Sequence, residues 1–207
     1  MKYFIILIYV ITFTNLAVSQ DRMFGYTYQS NVLNKGDFDL EFHNTLSTGK
    51  TGAYSPYIFG QRLDQRIEFE IGLGKNLQTS FYFNSELFNY ADSTSAFMNQ
   101  ELKISFSNEW KWKLSDPVAD ILGTALYGEL EFGGNNVEFE GKIILDKRWQ
   151  NDLFAFNLVG KYEIEKEISR ENNISKAEWT NNSPIELYLA YMHFINREIG
   201  IGFEYDI

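Results

Sequence analysis

The 207 residues suit one domain with a sizeable core, and 44% apolar with 22% charged residues exclude a disordered chain. Asp and Glu total 28 against 18 Lys and Arg, a formal net charge of −10, which repels nucleic acid and leaves no basic groove to track phosphates. With no cysteine, the chain is neither a disulfide scaffold nor a lipoprotein.

Met1 to Ser19 reads as an export signal: Lys2, the apolar run Phe4 to Ile11, then Ala17-Val18-Ser19 as a cleavage site. Thr12, Thr14 and Asn15 interrupt the run before it reaches the roughly 20 apolar residues of a spanning helix. The expected organisation is therefore a signal over 1–19 and one domain over 20–207.

Aromatic residues make up 17% of the chain and proline appears only three times, a composition that favours strands. From residue 36 onward the apolar pattern has period two. Phe38, Leu40 and Phe42 alternate with Asp37, Asp39, Glu41 and His43. Ile67, Phe69, Ile71 and Leu73 alternate with Arg66, Glu68 and Glu70, and Gly74-Lys75-Asn76 turns the chain. Leu77, Phe81 and Phe83 stand against Gln78, Ser80 and Tyr82. Leu102 to Trp112 alternates with Lys103 to Lys111 and breaks at Leu114-Ser-Asp-Pro117.

Leu126, Leu130 and Phe132 oppose Tyr127, Glu129 and Glu131, and Gly133-Gly-Asn-Asn136 is a hairpin turn. Val137, Phe139, Ile143 and Leu145 return against Glu138, Glu140 and Lys142, with Ile144 the one misfit. After the turn Trp149 to Asp152, residues 153–166 alternate Phe154, Phe156 and Leu158 with Asn157, Lys161 and Glu163. Glu167 to Ser183 reads as a long polar loop, and residues 185–191 and 199–207 form a last pair. These are nine strands, with Met23 to Gln29 an expected tenth if the number is to be even; otherwise the chain belongs to a larger barrel.

Alternation also fits a soluble sandwich or a lipocalin-like cup. Most runs here match the roughly 9–11 residues of a tilted membrane-crossing strand. Aromatics gather at strand ends (Trp110, Trp112, Trp149, Phe154, Phe88, Tyr90, Tyr191, Phe194) like interfacial girdles, and long and tight connections alternate. The expected fold is all-β, an antiparallel up-and-down transmembrane β-barrel. Phe69, Ile71, Phe81, Phe83, Phe139, Ile143, Phe156 and Leu158 would face lipid, while Glu68, Glu70, Gln78, Tyr82, Glu129, Glu140, Asn157, Lys161 and Glu163 line the lumen.

The stretches Leu114 to Asp120, Gly123 to Glu129 and Glu138 to Ile144, with Phe24-Gly-Tyr-Thr-Tyr28 and Leu33 to Gly36, resemble a family of uncharacterised Bacteroidota and proteobacterial outer-membrane barrels, porin-like in character. The resemblance implies a longer barrel in the outer membrane and lends no catalytic or ligand residues.

His43 and His193 are the candidate imidazole bases. His43 has Asn44 beside it and Ser47 four residues on, but no nucleophile motif accompanies either histidine, so an interfacial or lumen-facing His is the favoured reading and no enzyme is expected. Two isolated histidines without cysteine argue against zinc or haem. Glu129, Glu131, Glu138 and Glu140 could collect calcium, though a hydrated wall countered by Lys142 and Lys161 is the commoner use of such a row. Gly200-Ile-Gly202 lacks the context of a nucleotide loop. No cofactor is expected. The partners expected are outer-membrane lipid, the barrel-assembly machinery and small solutes. An acidic pore for small solutes leads as the function, ahead of a non-conducting structural or ligand-binding barrel and a secreted soluble binding protein.

Overall fold

A computed structural model describes residues 22–49, 57–92, 99–171, 174–196 and 199–207. The expected signal, residues 1–19, lies outside the described residues. Ten antiparallel strands form one curled, half-barrel sheet: β1 (Phe38–Gly49), β2 (Tyr57–Gly74), β3 (Leu77–Asp92), β4 (Asn99–Ser115), β5 (Gly123–Gly133), β6 (Asn136–Trp149), β7 (Asp152–Glu171), β8 (Ile174–Asn182), β9 (Ile185–Phe194) and β10 (Gly200–Asp206). Each strand pairs with the next as far as β7, and no helix occurs among the described residues. Strand β7 then pairs twice, through residues 163–171 with β8 and through 152–160 with β9.

Strands β1 and β10 pair only with β2 and β9 among the described residues, so the sheet is an open half-barrel; the expectation was a barrel or part of a larger one. Two expectations are corrected. Met23 to Gln29 is not a strand but an irregular segment lying against the inner face of the sheet. Glu167 to Ser183 is largely strand, because β7 and β8 continue as a hairpin beyond β9. Among the described residues β8 pairs with β7 alone, and residues 167–183 carry no apolar alternation. Backbone pairing orders the extension, together with Lys166 Nζ over the Trp179 ring at 6.0 Å and the Thr180 hydroxyl donating to the Glu165 carbonyl at 3.4 Å.

The tight turns follow local chemistry. Lys75 and Asn76 have φ of 53° and 61°, the left-handed pair of a type I′ hairpin that suits the twist of β2 and β3. At the β4–β5 turn the Asp116 carboxylate accepts the backbone N–H groups of Val118 and Ala119 at 2.9 and 3.0 Å, while Lys113 Nζ donates to it at 2.6 Å. The Lys113 ammonium and the two N–H groups hold its carboxyl well below the aspartate value of 3.8. Stability from this group is complete above the unfolded value and drains away as the pH falls through the lower folded one. Asp116→Asn is therefore expected to flatten the acid limb of the thermal midpoint measured from pH 5 to pH 2. An unaltered limb would show that the turn carries none of the acid sensitivity.

Side chains alternate in and out along every strand. On the outer face Phe81 is 51% exposed, Phe139 55% and Ile143 46%; Phe69, Phe83 and Leu158 are also exposed, and Ile71 and Phe156 half-buried. Cross-strand rings touch there: Phe83 meets Phe106 edge-on at 5.2 Å, and Tyr191 lies between Phe154 at 5.0 Å and Phe203 at 5.8 Å. Three of the strand-end aromatics depart from the expected girdle. Phe194 is buried with Phe24, Leu153, Ala155 and Ala190, and Phe88 and Tyr90 share the face of Tyr82.

Candidate functional site: the occupied inner face

The registers stack the inner residues into two rows. Glu41, Glu68, Tyr82, Ser107, Glu131, Glu138 and Glu163 stand side by side from β1 to β7. One step nearer the tight turns come Asp39, Glu70, Ser80, Glu109, Glu129, Glu140 and Lys161. Carboxylates directly opposite one another repel. The repulsion is offset by close donors: Lys142 Nζ is 2.6 Å from Glu140, Lys161 bridges Glu140 at 3.5 Å and Glu186 at 3.0 Å, and Ser107 donates to Glu131 at 3.2 Å. Tyr127 donates to Glu129 at 2.5 Å, and Tyr82 donates to Glu109.

All nine residues singled out for the lumen lie on this face. Glu68, Gln78, Tyr82, Glu129, Glu140 and Asn157 are buried, and Glu70, Lys161 and Glu163 half-buried. Their burial comes from residues 22–35, which thread through the curl of the sheet. Phe24 packs on β7 and β9 through Leu153, Ala155, Ala190 and Phe194. The Glu204 carboxylate of β10 accepts the backbone N–H groups of Gly25 at 3.1 Å, Tyr26 at 2.8 Å and Thr27. Asn157 brackets Tyr28, its Oδ1 accepting the Tyr28 N–H at 2.6 Å and its Nδ2 donating to the Tyr28 carbonyl at 3.0 Å. Further along, Gln78 Oε1 accepts the Leu33 N–H at 2.8 Å.

The Tyr28 ring is the centre of this packing. It meets Tyr127 edge-on at 5.1 Å, and cations stand over it: Lys142 at 4.0 Å and Arg22 at 4.2 Å. Each such contact contributes about 0.5–2 kcal/mol, the upper end applying where water is excluded. Ile144, the misfit in the β6 alternation, is fully buried with Tyr28, Ala125 and Tyr127, and so supplies an apolar seat on an otherwise acidic wall.

A close approach fixes the far end of the segment. A Cβ on Gly72 would lie 2.0 Å from the Asn34 carbonyl oxygen and 2.7 Å from that of Leu33, both backbone atoms. Gly72→Ala is thus expected to push residues 33–34 off β2 and raise amide exchange there. Unchanged protection would contradict this seating.

Arg22 and the segment itself had no sequence signal as inner-face elements, whereas Arg66 shares the polar row of Glu68 and Glu70 but was not among the nine lumen residues. Arg22 sits 3.8 Å from Glu68, and the Arg66 guanidinium lies over the Tyr82 ring at 4.6 Å. Glu109 and Lys111, both buried, had a visible signal, since they alternate with Trp110 and Trp112. The four hairpin carboxylates considered for calcium do not converge; among the described residues the one convergent set of possible metal ligands is Glu41, His43 and Glu68. His193 lies elsewhere, exposed, its Nδ1 2.8 Å from the Asp152 oxygen that also accepts the Tyr191 hydroxyl at 2.8 Å.

Residues 16–205 match the profile of a family of unknown function, DUF6662. The chain belongs to this family. No curated protein and no solved structure matches this DUF6662 chain.

Proposed function

We propose that this DUF6662 protein is an outer-membrane barrel protein, exported by its N-terminal signal, with its aromatic face against lipid and its acidic interior filled by its own residues 22–35. The observation that carries the proposal is the inverted distribution of polarity. Carboxylates, lysines and amides are buried on the inner face while Phe, Trp, Leu and Ile are exposed on the outer one. A protein in water buries its apolar row instead, and a contiguous exposed apolar surface of this kind marks contact with a membrane or another protein. Lipid cannot solvate unpaired backbone, so β1 and β10 need strand partners there, from this chain or from another copy.

The filled interior favours a non-conducting structural or ligand-binding barrel over the open pore for small solutes. Planar-bilayer recording of the full-length protein should then give no steady current. A persistent cation-selective conductance would restore the pore reading, because an acidic wall selects cations.

A further inference from the structure

We propose that Glu41, His43 and Glu68 bind one divalent transition-metal ion of the zinc class. Period-two alternation puts Glu41 and His43 on the same face of β1, and the register sets Glu68 directly opposite Glu41 on β2. Their ligand atoms all lie within 4.8 Å of one another. His43 Nε2 is 2.8 Å from Glu41 Oε2 and 3.6 Å from Glu68 Oε2. Metal–ligand bonds of about 2.0–2.2 Å in a tetrahedron separate the donors by about 3.4 Å, so these spacings bracket a metal's requirement.

A second observation points to a ligand independently. Glu68 is 1% exposed, yet its Oε2 accepts no hydrogen bond. The nearest cations, His43 at 3.6 Å and Arg22 at 3.8 Å, stand beyond hydrogen-bond range. A buried carboxylate oxygen left in this state is costly, and it repels the Glu41 carboxylate opposite it. A dication between the two carboxylates and the imidazole would meet both demands. The His43 side chain is 30% exposed, which leaves a side of the site open for water as a fourth ligand. Calcium fits poorly, since it takes six to eight oxygen ligands and here one of three donors is an imidazole nitrogen. The inference does not depend on the protein's place in a membrane.

The test loads the full-length refolded protein with Zn2+ alone, removes excess by dialysis and measures zinc per chain, with affinity from chelator competition. One zinc per chain is expected. His43→Ala and Glu68→Gln should each weaken binding at least ~100-fold, more than the loss of an outer partner does, while His193→Ala keeps it. Far-ultraviolet circular dichroism reports folding of each variant, and if Glu68→Gln fails to fold, the partly exposed His43 position decides. No stoichiometric zinc, or equal affinity in folded His43→Ala, would overturn the proposal and leave the trio as an imidazolium held between two carboxylates.

Discussion

Phe81→Arg and Phe156→Arg, made singly in the full-length chain refolded into lipid vesicles, are each expected to lower stability by about 2–4 kcal/mol. Both side chains belong to the outer face, Phe81 between Phe69 and Asn108 and Phe156 between Leu145 and Leu189. The size of the effect depends on what covers that face. Against hydrocarbon, a guanidinium must be dragged out of water near the bilayer midplane. Against water, replacing the exposed Phe81 would fall within about 0.5 kcal/mol, as ordinary surface changes do. Urea midpoints in vesicles measure the difference, and two unshifted midpoints would remove the lipid assignment.

Asn157→Ala is expected to loosen residues 22–35 while leaving the sheet intact. The side chain is fully buried and satisfies both backbone groups of Tyr28. Truncation orphans them where water does not reach, at about 1–3 kcal/mol for each group. Combining it with Glu204→Ala removes the acceptor for Gly25, Tyr26 and Thr27 and should release the segment outright. Amide exchange would then rise across residues 22–35 with the β-sheet circular dichroism unchanged. A segment that stays protected in the double variant would mean that Phe24 and the cations around Tyr28 hold it without these hydrogen bonds.

Strands were legible wherever one face of the sheet is apolar. Phe81 and Phe83 against Ser80 and Tyr82 reveal both the strand and the shared faces, because side chains point alternately to either side. The β2–β3 turn was equally plain, since glycine and asparagine tolerate the left-handed backbone it requires. The β7–β8 extension was not, because β8 pairs with β7 alone among the described residues and its run of polar residues, without alternation, reads as a loop. Residues 22–35 misled for a related reason. Phe24, Tyr26 and Tyr28 have strand-like spacing, but Phe24 and Tyr28 are buried by inner-face contacts with distant strands, and Asn157 and Glu204 occupy N–H groups that a sheet would use. The Glu41, His43 and Glu68 cluster was half visible. Glu41 and His43 share a face by spacing, whereas Glu68 joins them only through the β1–β2 register.

The most direct test of membrane embedding is depth-resolved quenching of tryptophan by brominated lipid chains, using single-tryptophan variants of the refolded chain. Trp110, Trp112 and Trp149 are exposed on strands of the main sheet, and Trp179 is exposed on the β7–β8 hairpin that extends past β9. Bromines along the acyl chains are expected to quench Trp110, Trp112 and Trp149 strongly and Trp179 weakly or not at all. Four tryptophans equally unquenched, in a protein that stays folded and monodisperse without detergent or lipid, would contradict membrane embedding.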